Sequence, residues 1–320
     1  MDRVLVTGGA GFIGSNFVRH LLKNTNCAVV NLDKLTYAGN LNNIKDLRRE
    51  KRHEFIRGDI RNRKLAGSLV KKADAVVNFA AESHVDRSIQ TPSVFVESNV
   101  LGVQVLLEAC RRFGVRFEQI STDEVYGSRA EGSFVETDAL NPSSPYSASK
   151  ASADLLVNAY HVTYGLEVTV TRSTNNYGPN QHPEKFIPRL VTNALRGKPL
   201  PIYGSGQNIR DWIFVDDNCG AILTVLEKGE EGQIYNIGGG NERKNLEIAK
   251  EILRCLSLPE AMLEFVPDRP GHDFRYSIQC GKVQHLGWKP QVGFEEGLQR
   301  TVDWYRTNER WWLHLVGPTS

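Results

Sequence analysis

The chain is poor in the features that would place it outside the ordinary folded enzymes. Its 320 residues include five cysteines, at 27, 110, 219, 255 and 280, an odd number with no C-x-x-C pair. That argues against a disulfide framework and a structural zinc site, and no metal is expected. The same usage fits a reduced, cytoplasmic protein. No run approaches the roughly 18 consecutive apolar residues of a membrane helix. Met1-Asp2-Arg3 leads straight into Val4-Leu5-Val6, so a signal peptide is not expected. Charge of one sign is missing too. Lys+Arg 39 against Asp+Glu 37 leaves +2, which gives no net field to gather nucleic acid or an anionic membrane. Repeats and low-complexity tracts are absent.

What is present is an ordinary globular composition, 40% hydrophobic and 24% charged. At about 150 residues per domain, the length suits one large or two modest domains. Short apolar runs at Val4–Thr7, Ala28–Leu32, Phe55–Arg57, Ala75–Phe79, Phe117–Ser121 and Val168–Arg172 read as strands covered on both faces. Helical patterns at Ile13–Lys23, Val94–Phe113 and Tyr146–Tyr164 lie between them. The alternation predicts an α/β fold with a doubly wound parallel sheet. Beyond residue 172, Asn175–Gln207 is rich in Pro, Gly, Asn and Tyr and reads as loops around a ligand. Trp212–Val215 and Ile234–Ile237 read as strands, Leu246–Leu256 and Phe294–Arg306 as helices. The expected division is a cofactor domain, 1–172 with about 211–238, and a smaller substrate domain, 173–210 with 239–320.

Val4-Leu5-Val6-Thr7-Gly8-Gly9-Ala10-Gly11-Phe12-Ile13-Gly14 is a strand, a glycine turn and a helix start. Glycines let the backbone approach a pyrophosphate, and the helix start offers free N–H groups and a positive dipole end. Asp33 closes the second strand 19 residues after Gly14. A carboxylate there accepts ribose hydroxyls and repels a 2′-phosphate, favouring NAD over NADP. Asp59 closes the third strand, within reach of an adenine amino group.

Tyr146-Ser147-Ala148-Ser149-Lys150 sets Tyr and Lys one turn apart on a helix face. A nearby ammonium lowers a phenol toward neutrality, so Tyr146 is expected to take a proton from a sugar hydroxyl. Thr122-Asp123-Glu124 follows the fifth strand, at the carboxyl edge where α/β sheets bind ligands. Adjacent acids can divide into a protonated acid and an ionised base. Hydride transfer alone needs neither; an elimination needs both. A plain charge pair at a helix start is the bland alternative.

These residues together resemble the extended short-chain dehydrogenase/reductase family, and within it the branch that dehydrates dTDP-glucose. The similarity runs through Thr7–Ser15, Leu32–Asn40, Ala80–Ser88, Ser121–Gly127, Tyr146–Lys150, Asn175–Pro179, His182–Lys185, Ile209–Trp212 and Asp268–His272. Ser98-Asn99 stands where the family has Thr-Asn. The resemblance implies a Rossmann-like fold and a tightly held NAD. The NAD contacts it implies are Gly8, Gly11, Phe12, Ile13, Gly14, Asp33, Lys34, Leu35, Thr36, Asp59, Ile60, Ala80, Ala81, Ser83, Ser98, Tyr146, Lys150 and Asn176. For the nucleotide sugar it implies Ser83, Thr122, Asn175, Lys185, Phe186, Pro201, Tyr203, Arg210, Asn245, Arg269 and His272. Tyr146 would take the C4 hydroxyl proton as hydride leaves C4, with Thr122 bonded to that hydroxyl. Glu124 would then remove the C5 proton and Asp123 protonate the departing C6 hydroxyl, before hydride returns to C6. A homodimer packed through the helices at 94–113 and 146–164 is also implied.

Two other readings stand beside this one. A nucleotide-sugar 4-epimerase or a uronate decarboxylase would share Tyr146, Lys150 and NAD, and an epimerase would have no use for Asp123 and Glu124. A non-catalytic NAD-sensing protein would need only the glycine turn.

Overall fold

The computed structural model describes residues 1–268 and 273–317. Twelve strands run in chain order: β1 (Arg3–Thr7), β2 (Ala28–Asp33), β3 (His53–Arg57), β4 (Ala75–Asn78), β5 (Arg116–Thr122), β6 (Val168–Ser173), β7 (Asn175–Tyr177), β8 (Leu200–Tyr203), β9 (Ile209–Phe214), β10 (Gln233–Ile237), β11 (Glu242–Lys244) and β12 (Leu263–Val266). Seven form one sheet in the order β10-β6-β5-β4-β1-β2-β3, every pair parallel. The strands predicted from residues 4–172 all appear, with ends shifted by one or two residues.

Parallel strands need crossovers, and the helices that supply them cover both faces. One face packs Val4, Val6 and Ile120 against Phe17 and Leu21 of helix Phe12–Asn24 and Ile222 and Val225 of helix Val215–Lys228. The other packs Leu5, Val76 and Phe117 against Leu106 of helix Gly102–Phe113 and Val157 of helix Pro145–Tyr164. The chain leaves β1 toward β2 and β3, then returns to place β4 on β1's other side. That reversal opens a crevice beyond the strand ends of β1 and β4, the usual ligand site of such sheets.

A third core sits apart from the sheet. Tyr177, Ile187, Leu190, Trp212, Phe214, Ile252, Leu298 and Tyr305 fill it. Two small sheets border it, β11-β9-β7 and β12-β8. Residues 175–207 are not the loop that their Pro and Gly content suggested: they hold β7, helix Phe186–Leu195 and β8. Ile187, Leu190, Val191 and Ala194 recur at helical spacing and are buried, and Pro188 falls in the first turn, where its missing N–H costs little. The predicted strand at 212–215 is β9, which starts earlier; Val215 already opens a helix.

The helix predicted over 94–113 is three pieces: a turn at Pro92–Phe95, a π-helical segment at Val96–Leu101 and a regular helix from Gly102. An 18-residue window within this 22-residue stretch has mean hydropathy 1.3, long and apolar enough by length and composition alone to cross a membrane, although no run of consecutive apolar residues approaches that length. Half of it is buried within the protein, where it covers the sheet.

Candidate active site

A single cleft runs along the carboxyl edge of the large sheet. At one end lies the glycine turn. Gly8 has φ +70°, and a Cβ there would stand 2.6 Å from the Ala80 amide nitrogen. A Cβ on Gly14 would run into the Gly8 carbonyl. Gly11 caps the following helix with no side chain of its own over the free amides. Only glycine leaves this cradle open, and it fits the pyrophosphate of a dinucleotide.

Asp33 ends β2 in the same wall. Its Oδ2 accepts from Ala10 N at 2.9 Å and its Oδ1 from Leu35 N at 2.7 Å, so the carboxylate is fixed before any ribose arrives. Burial raises it above the ordinary range against those two bonds. Burial likewise pushes Asp59 up, but hydrogen bonds from Arg61 and Lys34 outweigh it and hold the carboxyl at about 2. Lys34 is thereby tied to Asp59, 3.0 Å away.

Further along, β5 delivers Thr122, Asp123 and Glu124. Thr122 caps a 3-10 turn, accepting from Glu124 N at 3.3 Å and donating to Asp123 Oδ1 at 3.3 Å. Asp123 is almost fully buried, and its Oδ2 has no hydrogen-bond partner. Burial, with Glu124 and Asp211 alongside, holds its carboxyl well above the carboxylate range. Of the acid pair, Asp123 is the member whose surroundings favour the protonated form.

Helix Pro145–Tyr164 opens with a Ser144/Ser147 capping box and Pro145 in its first turn, which fixes where Tyr146 and Lys150 emerge. Tyr146 meets Phe95 edge-on at 6.3 Å and hydrogen-bonds Thr122. Lys150 Nζ donates to the Ile120 carbonyl at 2.6 Å. The electrostatics differ from the sequence expectation. Burial lifts the Tyr146 hydroxyl above its usual range, Glu124 adds to the lift, and only the Thr122 bond opposes it. Burial also lowers Lys150 to about 8. Lys150 is spent on a backbone carbonyl, so the phenol is held in its neutral form by its surroundings.

Asn99, from the π-helical segment, braces the floor. Its amide donates to Glu82 O at 3.0 Å and to Ser149 Oγ at 2.9 Å, and its oxygen accepts from Glu82 N at 2.8 Å. A family Thr-Asn written here as Ser98-Asn99 keeps this brace intact.

The structure brings most of the expected residues into one wall: Gly8, Gly11, Phe12, Ile13, Gly14, Asp33, Lys34, Thr36, Asp59, Ile60, Ala80, Ala81, Ser83, Ser98, Thr122, Asp123, Glu124, Tyr146, Lys150, Asn175, Asn176 and Lys185. Leu35 instead turns its side chain to the core under the glycine turn. Phe186, Pro201, Tyr203, Arg210 and Asn245 stand outside this wall. Arg210 is held by the carbonyls of Ile209, Asp273 and Phe274 at 2.7, 2.8 and 3.2 Å, close enough to Asp123 to lower its carboxyl somewhat. Arg269 and His272 lie outside the described residues.

Sequence reasoning passed over Glu82, Gln181, His182 and Glu184, which also line the cleft. Glu184 lies 3.6 Å from both His84 and Arg87, and Arg87 covers the Tyr37 ring at 3.7 Å. Burial first, then Arg87 and Lys185, lowers His182 to about 4, so it is neutral near pH 7. The segments Ala80–Ser88 and His182–Lys185 mark all of these but Gln181 as parts of a resemblance, without roles. Among the described residues no cluster of His, Cys, Asp and Glu is arranged to hold a metal.

Comparison with known proteins agrees with this geometry. The family model described as GDP-mannose 4,6 dehydratase matches residues 5–301. The low-salt glycan biosynthesis protein Agl12 of Haloferax volcanii is 54% identical over 94% of this chain and 98% of its own. A dTDP-glucose 4,6-dehydratase of Streptomyces niveus is 51% identical over 99% of this chain and 96% of its own. Among solved structures, the dTDP-glucose 4,6-dehydratase DesIV of Streptomyces venezuelae, crystallised with NAD and TYD, superposes with a TM-score of 0.96 at 52% identity, covering 98% of this chain and 99% of its own. The chain belongs to the GDP-mannose 4,6 dehydratase family, and within it to the dTDP-glucose 4,6-dehydratases of the extended short-chain dehydrogenase/reductases.

Proposed function

We propose that this cleft converts dTDP-glucose to dTDP-4-keto-6-deoxyglucose by NAD-dependent loss of water, a hydro-lyase reaction of deoxysugar biosynthesis. Bound NAD supplies a reversible two-electron acceptor, which makes C4 a ketone and is restored when C6 is reduced, and brings a positive ring into the cleft. With that positive ring beside it, Tyr146 would give up its own proton to solvent and, as the phenolate, accept the C4 hydroxyl proton, while Thr122 holds that hydroxyl. Lys150 fixes the Tyr146 end of the helix through the Ile120 carbonyl. The 4-keto group acidifies C5. Glu124 removes the C5 proton, and Asp123 gives its proton to the C6 oxygen, which leaves as water. Atoms balance: the proton that Glu124 takes from C5 returns to C5 as C6 is reduced, the C6 hydroxyl leaves with the proton of Asp123, and Asp123 is reprotonated from solvent, to which Tyr146 passes the C4 hydroxyl proton.

The observation that supports this reading most is the buried, proton-holding Asp123 beside Glu124 and Tyr146 in one wall. An epimerase has no use for that arrangement. Incubation with a panel of nucleotide hexoses, read by mass, tests it. The expected result is loss of one water from dTDP-glucose with a base-absorbing 4-keto product; conversion to dTDP-galactose without that product would replace the reading.

The remaining assignments belong to the same proposal. Residues 1–172 with about 211–238 hold NAD, and 173–210 with 239–320 hold the nucleotide sugar, for which Lys185, Arg210, Arg269 and His272 are the cationic residues that the resemblance implies. Guanidinium groups suit diphosphate oxygens through paired hydrogen bonds. The chain acts in the cytoplasm as a homodimer. Exposed Val94, Val96, Leu101, Leu155 and Val162 support this last point, because all lie on the two helical stretches expected to pair. Sedimentation at micromolar concentration checks it, with a monomer as the contrary result.

A further inference from the structure

A dehydratase that borrows electrons from its cofactor must not release it between the two half-reactions. The active-site cleft shows how NAD is seated, but nothing described so far holds it there. The C-terminal segment supplies a candidate hold. Helix Glu309–Trp312 and the turn Leu313–Leu315 lie across the loop that follows Asp33. Between them is a second cavity of about 230 Å³, bounded by Tyr37, Asn40, Asn43, Asn180, Trp311 and His314, and it shares Ala38, Gly39 and His182 with the main cleft.

One side chain crosses from this segment to the cofactor loop. Trp311 Nε1 donates to Asn43 Oδ1 at 2.9 Å. Asn43 is almost fully buried, and its Nδ2 donates to the Ala10 carbonyl at 2.9 Å. Asn40 N donates to the same carbonyl at 3.0 Å, and Asn43 N donates to Asn40 O at 2.9 Å. The Ala10 amide, in turn, is the donor to Asp33 Oδ2. Ala10, at the middle of the glycine turn, is thus gripped through its N–H by the ribose-facing carboxylate and through its carbonyl by Asn43. Asn180 Nδ2 reaches Asn43 Oδ1 at 3.4 Å from the substrate half. The Trp311 ring itself is anchored against Trp304 at 4.9 Å, in the third core.

We propose that Trp311 and Asn43 are positioning residues that latch the C-terminal segment over the cofactor loop and so keep NAD bound through the catalytic cycle. The loop at 36–43 has to move for the adenosine half to leave. Moving it breaks the Trp311–Asn43 bond or drags the Ala10 peptide out of register with Asp33. The proposal rests on the reading of the main cleft as an NAD site.

The test is a chase of radiolabelled NAD from the full chain into excess unlabelled NAD. Trp311→Phe keeps the ring against Trp304 and removes the donor; it should release label about five- to tenfold faster, as expected for one hydrogen bond. Asn43→Ala should do at least as much, and the double variant should be no faster than Asn43→Ala alone. If Asn43→Ala folds poorly, Asn43→Leu, which keeps the side-chain volume and removes the acceptor, takes its place. Release at the wild-type rate in Trp311→Phe, or effects that multiply in the double variant, would overturn the latch. Thermal midpoints with and without NAD separate it from a purely structural role. A latch lowers the NAD-loaded midpoint more than the NAD-free one, and equal falls would overturn it. A wild-type chain that holds no label overturns the NAD reading itself, and the latch with it.

Discussion

The two ends of the cleft are built in opposite ways. The cofactor end is local: the glycine turn, Asp33 and Thr36 lie within about thirty residues of chain, at the ends of two adjacent strands and just beyond them. The substrate end is assembled from β5, the helix at 145–164 and the stretch 173–185, which meet only because the sheet is wound as it is. The chemistry differs to match. At the cofactor end backbone amides and open space do the work; at the substrate end, buried ionisable groups do. Steric fit tolerates no added atom, and buried charge tolerates no altered proton count.

The strongest way to break the comparison is to change the ionisable groups without changing their shape. Tyr146→Phe should slow the first oxidation by about 10²–10⁴-fold, and Asp123→Asn and Glu124→Gln should slow water loss by a similar factor. Retained NAD, measured after denaturation, should match the unaltered chain in all three. Undiminished turnover in either acid variant would remove that residue from the elimination.

Next in size is the steric end. Gly8→Ala places a Cβ 2.6 Å from Ala80 N at a φ of +70° and should weaken NAD binding by about tenfold or more, by titration. Wild-type affinity would show that the turn yields.

Proton count at the substrate end gives a pH signature. Asp123 is held protonated by burial, so its function as an acid is present below its raised folded pKa and is lost as pH rises through it. Turnover should therefore fall on the alkaline side while NAD binding holds. A rate that keeps rising with pH would contradict an acid role.

A buried carboxyl away from the cleft is the control. Glu118 in β5 is fully buried, with neither oxygen hydrogen-bonded, and burial raises its carboxyl well above the usual range. Its folded state keeps a proton that the unfolded chain gives up near pH 4.3. Its cost to stability therefore grows as pH rises above that value. Glu118→Gln should raise the thermal midpoint by about 2 °C or more at pH 7, with little gain at pH 4. An equal gain at both pH values would point to packing instead. Smallest of all, Lys34→Ala should change NAD affinity by no more than about threefold, because Lys34 is half exposed and its partner is Asp59.

The same contrast explains what could be read in advance. Strand and helix order was legible because each parallel strand is apolar throughout and each helix carries an apolar stripe. Gly8, Gly11, Gly14 and Asp33 were legible because their spacing is itself the mechanism. Tyr146's electrostatics were not, because sequence spacing sets Lys150 one turn away but does not reveal that its ammonium points to the Ile120 carbonyl. Glu82, His182 and Glu184 were not assigned roles because their partners lie far along the chain: Glu184 meets His84 and Arg87 only across the folded cleft. The helix inside 175–207 was obscured by its flanks, whose Pro and Gly content reads as irregular, while ten residues between them kept helical spacing.

Asn99 joins the Glu82 backbone, in both directions, to Ser149 on the tyrosine-bearing helix. The rear of the cleft is therefore a single fixed jaw, with the cofactor floor and the proton-transfer helix bolted together by one amide. The opposite wall, the stretch from Asn175 to Lys185, is built separately and meets this one where Lys185 Nζ donates to the Ser83 carbonyl at 2.7 Å.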